Sequence, residues 1–457
     1  MINPTLSLCM IVKNETELLA DCLESVADIV DQIVMVDTGS TDNTIEIAKH
    51  FNAEIYHYPW DNHFAKARNQ SISHAKGDWI LWMDADEKLL PESRPKIMQL
   101  LQPVQKPVAY KVQIQNLQKD QKTIIISDGH RLFTNNMGIQ FSGRIHEQIS
   151  PSINKLDGKI RDSEIHILHR GYSYTGKKEK QKNKRNRKLL QKMVEEEPDN
   201  AYAHYTLGQF YGLNKNHDRA KKHYKKAYYL DQLPGPMKAS LLNVLAEESL
   251  KTNQPQEAEK YARQSINLID LQVGGFYILY KIAQVKNQNK TAIQHLQTIF
   301  TNCKTIKNTK KRLSSDVLIE EDKILYTIGN LYLSEDESQM AHQFFKKAFK
   351  TNNNNKNAYK KLLHLNIILE NRIEFFNLIN NSNLLTQEDL EFLNNLGISL
   401  IKKKFFKCAI SVYNKIKEID PKNVMAIKRI AGLYAKIGAQ QKAQKQVCQL
   451  KNIIKHN

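Results

Sequence analysis

VDTGSTDNT (36–44) and WMDADE (82–87) decide the fold. Each ends an apolar run, IVMVD (33–37) and WILWMD (79–84), on acidic residues. Both runs read as buried strands whose tips carry carboxylates. Open α/β sheets bind their ligands at such strand ends. An Asp-x-Asp there offers hard oxygen ligands to a divalent cation beside a phosphorylated ligand.

Working outward, TLSLCMIV (5–12), QIVMVD (32–37), AEIYHY (53–58) and DWILWMD (78–84) are predicted strands. ETELLADCLESVAD (15–28), TDNTIEIAKHF (41–51) and FAKARNQSISHAK (64–76) have helical spacing. This alternation predicts a mostly parallel sheet covered on both faces. From 107 to 170 the pattern becomes strand-rich, with VAYKVQIQ (108–115), KTIIIS (122–127), RLFT (131–134) and EIHILHR (164–170).

A basic segment, GKKEKQKNKRNRKLLQKM (176–193), holds nine Lys/Arg against one Glu. We place a domain junction there. Beyond it the chain reads as a helical repeat array. Gly329, Leu363, Gly397 and Ala431 stand 34 residues apart, as do Ala341, Phe375, Ala409 and Ala443. Small residues at such positions let paired helices approach closely, with Tyr205, Tyr211, Tyr224, Tyr326, Tyr332 and Phe345 between them. Register breaks near 303–320, and TNNNNKN (351–357) reads as a turn. The expected layout is therefore 1–175 catalytic, 176–197 a basic helical linker, and 198–457 helical repeats.

The 457 residues carry a net charge of +19, unevenly spread. Residues 1–175 hold 18 Lys+Arg and 22 Asp+Glu; residues 176–457 hold 49 and 26. Any basic partner surface thus lies away from the acidic strand tips. The basic segment lacks interleaved aromatics, which argues against nucleic acid. No apolar run approaches a spanning helix, so at most peripheral membrane contact is expected. Five scattered cysteines, none in C-x-x-C spacing, fit a reducing, cytoplasmic setting without a zinc module or disulfide framework.

The ordered set SLCMIVKNE (7–15), VDTGSTDNT, FAKARNQ (64–70), WMDADE, RLF (131–133), GRIHEQI (143–149) and HRGY (169–172) resembles glycosyltransferase family 2, enzymes of the GT-A fold. The repeats after it resemble tetratricopeptide repeats. This resemblance implies a Rossmann-like α/β domain followed by an all-α superhelix, and a nucleotide-sugar donor, with a UDP-sugar first in expectation. It implies donor contacts from Asp37, Arg68 and Asp84, with Asp86 and His169 on Mg²⁺ or Mn²⁺. It places Glu147 as the candidate base, with His146 beside it, and implies inversion at the anomeric carbon.

Each residue has a plainer reading. Asp37 would cap its turn, and Arg68 would pair with Asp61 or Asp78. His146 and Glu147 would be structural, and His166 competes with His169. Glu87 reads as a cap or supporting residue. The combination with repeats resembles the sublancin-type peptide S-glycosyltransferases of bacteria, which implies a peptide or protein acceptor through Cys or Ser. An envelope polysaccharide or lipid-linked glycan is the alternative acceptor, and a non-enzymatic interaction protein the second alternative. The repeats would hold the acceptor, form a homodimer, or both.

Overall fold

The computed structural model describes residues 4–117, 124–170, 177–269, 271–309, 320–381 and 383–455. The chain divides into two compact units, Met1–Leu241 and Leu242–Asn457. Among the described residues no helix is long and apolar enough to cross a membrane.

The first unit is built on one mixed sheet. Its strands are β1 (Leu6–Val12), β2 (Gln32–Asp37), β3 (Glu54–His57), β4 (Trp79–Trp82), β5 (Glu87–Leu89), β6 (Val108–Leu117), β7 (Ile124–Thr134) and β8 (Lys159–His169). They lie in the order β3-β2-β1-β4-β7-β6-β8-β5. The pairings β3–β2, β2–β1, β1–β4 and β6–β8 are parallel; β4–β7, β7–β6 and β8–β5 are antiparallel.

Successive residues of β1 explain its continuous apolar run. Leu6, Leu8, Met10 and Val12 enter one core layer, and Cys9 enters the layer on the other face. A strand covered on both sides has no solvent face to mark with polar residues.

The helices α1 (Leu19–Glu24), α2 (Thr44–His50) and α3 (Phe64–Ser73) are all shorter than the sequence pattern predicts. α1 keeps six residues because no side chain caps its start and Ser25 turns back onto the Cys22 carbonyl at 2.6 Å. RLFT and the described part of KTIIIS form one strand, β7; Lys122 and Thr123 lie outside the described residues. Two further helices, α4 (Arg94–Leu100) and α5 (Ser150–Lys155), complete the sheet's cover.

The basic segment forms α6 (Lys177–Glu196). It is followed, within the same unit, by a hairpin of α7 (Ala201–Leu213) and α8 (His217–Leu230). The division between the units falls within α9 (Gly235–Lys251).

The second unit is helical. Glu321–Ser334 packs on Ser338–Thr351, Leu390–Lys402 on Phe406–Ile419, and Val424–Lys436 on Gln440–Lys455. Most of the 303–320 break lies outside the described residues. The 34-residue glycines have a direct cause. A methyl group at Gly329 would stand 2.8 Å from the Phe345 ring, and one at Gly397 2.6 Å from the Tyr413 ring. In the first unit, Gly208 faces Tyr224 at 2.7 Å in the same way. One helix thus gives up its side chain so that the next can seat a buried ring.

The Arg372–Asn380 helix is short, and the chain after it is organised by Asp389. This buried carboxylate takes Lys356 at 2.6 Å and Lys360 at 2.5 Å, and closes a capping box with Thr386. Although burial opposes its charge, those hydrogen bonds hold its carboxyl well below the usual range.

Two outcomes follow from this packing. Gly397→Ala lowers the stability of the repeat unit by about 1–3 kcal/mol, because a ring must move in a filled core. Gly432→Ala, with nothing within 4 Å, raises it by about 0.5–1 kcal/mol. Denaturant melts of the full chain read both.

The depressed Asp389 group binds a proton more weakly folded than unfolded. Its stabilisation is present above the unfolded carboxylate range and is lost as pH falls through its folded value. Melts below about pH 4 should therefore show a smaller acid dependence in Asp389→Asn than in the parent.

Candidate active site

The carboxylates gather where β1, β2 and β4 end. Val12 is the parallel partner of Asp37, and the Thr38 amide and hydroxyl both bond the Val12 carbonyl at 3.0 Å. Asp37 is buried. Its oxygens accept from the amides of Gly39 at 3.1 Å and Ser40 at 3.0 Å, and Gly39 has a φ of +105°. His57 Nδ1 lies 3.4 Å from the same carboxylate. Asp37 therefore organises the turn, and its edge faces the strand ends.

A chain of alternating charges fills the next layer. Arg68 on α3 donates through Nε to Glu147 and through Nη2 to Asp84, the latter at 2.7 Å. Arg131 on β7 donates to Glu87 at 2.5 Å and lies 3.7 Å from Asp84. The sequence runs Glu147, Arg68, Asp84, Arg131, Glu87 in space. Both guanidiniums rest on the Trp82 indole, at 3.9 Å for Arg68 and 3.4 Å for Arg131. Asp61 and Asp78 are not the partners of Arg68: Asp61 pairs with Lys66 at 3.2 Å, and Asp78 binds Thr5.

Asp84 is the open link, its side chain 36% exposed against 9% for Glu147 and 1% for Glu87. Partial burial opposes its charge, but Arg68 and Arg131 outweigh that and hold the carboxyl below its ordinary range. Burial pushes the Glu87 carboxyl up despite Arg131. Glu87 is thus no helix cap. It opens β5, holds Arg131, and takes the Asp84 amide at 2.9 Å.

Asp86 and His169 face each other across the sheet edge, Oδ2 to Nε2 at 3.3 Å. His169 is placed by two strand registers, opposite Glu87 of β5 and opposite Asn116 of β6. Asn116 donates its amide nitrogen to the Ile114 carbonyl at 3.3 Å and to Ser127 at 2.9 Å. Its oxygen therefore meets His169 Nδ1 at 2.8 Å and fixes the proton on that nitrogen. The Nε2 lone pair is left aimed at a carboxylate. Burial disfavours a charged imidazole here, but Asp86 outweighs it and raises the His169 pKa.

His166 stands elsewhere, 3.8 Å from Glu92. Gly171 and Tyr172 of the HRGY motif lie outside the described residues. Nearby Glu15 is pushed up to about 7 by burial and by Asp86, Asp84 and Asp42. Negative charge is in surplus at this edge.

Among the described residues no three His, Cys, Asp or Glu side chains are placed to hold a metal ion. The pair of Asp86 oxygen and His169 nitrogen nevertheless fits a hard cation that takes its remaining ligands from water and phosphate.

The GRIHEQI loop brings Glu147 to Arg68. Gly143 and His146 adopt left-handed backbone, with φ of +96° and +55°. Arg144 pins the loop to Glu196 of α6 and to the Asn62 carbonyl at 2.8 Å. The His146 side chain is exposed, and its carbonyl accepts from the Tyr202 hydroxyl at 2.9 Å.

With this geometry in view, residues 7–173 match the family model for glycosyl transferase family 2, and residues 201–232 and 322–355 match that for a tetratricopeptide repeat. A TPR repeat-containing protein of Synechococcus elongatus is 37% identical over 209 residues, 44% of this chain and 51% of that one. The SPbeta prophage-derived glycosyltransferase SunS of Bacillus subtilis is 29% identical over 226 residues, 49% of this chain and 53% of that one. An uncharacterized glycosyltransferase of Rickettsia felis is 37% identical over 92 residues, 20% of this chain and 32% of that one. The chain spans about half the length of the first two of these relatives. It carries a family 2 glycosyltransferase domain at its N-terminal end, with tetratricopeptide repeats following.

Arg131, Trp82, Asn116 and Glu15 were assigned no role from the sequence. Arg131, Trp82 and Glu15 sit inside quoted motifs, so a signal existed. Asn116 had none, since only strand register brings it to His169.

Removing one partner of the buried charge chain leaves the other uncompensated. Arg131→Met should cost about 3–5 kcal/mol in denaturant melts. The double variant Arg131→Met, Glu87→Gln should cost less than the sum of the two single variants. Additive losses would show that the pair is not coupled.

Proposed function

We infer that this chain transfers a sugar from a nucleotide-sugar, a UDP-sugar in the first instance, to a Cys or Ser side chain of a peptide or protein. The observation that carries the reading is the guanidinium of Arg68. It joins Asp84 to Glu147 beside the Asp86–His169 pair, and the reading takes the first as the donor side and the second as the acceptor side.

In this reading Asp37 and Asp84 receive the nucleoside, as carboxylates accept hydrogen bonds from ribose or base. Asp86 and His169 hold Mg²⁺ or Mn²⁺, which supplies the charge neutralisation a departing diphosphate needs. Glu147 takes the acceptor's proton as the acceptor attacks the anomeric carbon opposite the leaving group, with inversion. Arg68 occupies Oε1 of Glu147 and sets its orientation. His146 shapes the loop that presents Glu147. The repeats supply a surface for protein contact, to an acceptor or to a second copy of the chain.

An anionic glycan or lipid acceptor is the alternative. The exposed cations of α6, such as Lys184, Arg187 and Lys188, favour it. One basic surface alone binds such partners weakly and in a salt-sensitive way.

The test is a screen of UDP-, GDP- and dTDP-sugars for hydrolysis and transfer by intact mass, with and without Mn²⁺. Turnover of at least one donor, lost on chelation, is expected. Asp86→Ala should lower it by about 10²–10³-fold. Glu147→Gln should abolish transfer to serine and weaken transfer to cysteine less, because a thiolate forms more readily. No turnover of any donor would sink the reading.

A further inference from the structure

A cleft of about 620 Å³ lies within the first unit, apart from the strand-tip carboxylates. One wall is the loop that carries Glu147, with α5; the other is the end of α6, the start of α7 and the chain from Gln232 into α9. Gly143 and Gln148, on either side of Glu147, both line it. Met193 of α6 touches the same turn, standing 3.6 Å from where a Cβ on Gly143 would be. The Tyr202 bond to the His146 carbonyl ties the repeat wall to the loop.

The lining has a definite chemistry. Its charged members are Glu197 and Asp199, and no Lys or Arg lines it. Asp199 pairs with Lys226 at 3.2 Å, and Glu197 accepts from Asn200. The rest is neutral: the carboxamides of Gln148, Asn154 and Gln232 and the hydroxyls of Ser142, Ser150 and Tyr202, beside Met193, Leu233 and Met237. Carboxamides match the donors and acceptors of a peptide main chain. Methionines accept varied apolar side chains. In a chain of net charge +19, a lining without cations is the feature that needs a cause.

We propose that this cleft seats the polypeptide acceptor, and that its lining selects a neutral or cationic segment over an anionic one. The proposal rests on the transfer reading above and names the acceptor's class. A chain lying between Gly143 and Met237 runs along the loop that carries the candidate base, against Gln148, its neighbour in sequence. A lipid phosphate or acidic glycan would meet Glu197 and Asp199 with no cation in the lining to receive it.

The test uses the full chain without any donor. Two fluorescein-labelled Gly/Ser peptides carry one central cysteine, one flanked by lysines and the other by glutamates. Binding is read by anisotropy at about 0.15 M salt, where long-range attraction is screened. The protein's overall charge favours the glutamate peptide, so the opposite preference reports the cleft. The lysine peptide should bind about tenfold more tightly. The double variant Asn154→Lys, Met237→Lys should erase that preference.

Tighter binding of the glutamate peptide overturns the proposal. So does an unchanged preference in the double variant whose melt matches the parent. So does glycosylation of a polyprenyl phosphate in detergent while neither peptide binds. Failure of every donor to turn over would fall on the transfer reading, and the anisotropy result would still stand or fall by itself.

Discussion

The structure of the first unit depends on how five charged groups alternate in space, the two cations among them resting on one indole. Three carboxylates and two guanidiniums alternate from Glu147 to Glu87, with Trp82 as their floor. Each buried ion alone would cost several kcal/mol. Alternation removes most of that cost, and the face of the indole favours both cations. The members come from α3, the β4–β5 turn, β7 and the GRIHEQI loop. The network therefore clamps the parallel half of the sheet to the antiparallel half. It also leaves Asp84 as its accessible link, at the edge where β1, β2 and β4 end.

That geometry explains which parts of the site were legible beforehand. Strand tips are readable because an apolar run that stops on Asp marks a buried strand ending at the sheet edge, even where that Asp also caps its turn. Asp37, Asp84 and Asp86 were found in that way, and the family's motif order supplied Arg68, Glu147 and His169. Supporting residues were harder to read. Asn116 reaches His169 through the β6–β8 register, and register between distant strands leaves no local mark. Glu87 reads as a cap or a supporting residue, and only the structure decides for the second, since β5 is too short to show a period. The repeat glycines were visible as spacing, and their reason, a buried ring sixteen residues later, appears only in three dimensions.

Helix lengths were overestimated for a related reason. Apolar spacing in 15–28 persists through the turn after α1, because that turn also buries Val26 in the same core. Periodicity reports burial, and a turn can be buried as well as a helix. The break between catalytic and repeat regions is likewise a matter of packing rather than composition. Charge changes at 176, but the first hairpin packs in the unit that holds the strand tips. Arg144 to Glu196 and Tyr202 to His146 are the bonds that make it so.

In the transfer reading proposed above, with Glu147 as base, the bond between Arg68 and Glu147 bears on the choice between cysteine and serine as acceptor. One carboxylate oxygen of Glu147 is committed to the guanidinium, and the side chain is nearly buried. Only Oε2 is left to receive a proton. A serine hydroxyl needs a strong, well-aimed base throughout its attack. A thiol loses its proton near pH 8.5 unaided, so a constrained carboxylate is enough to guide it.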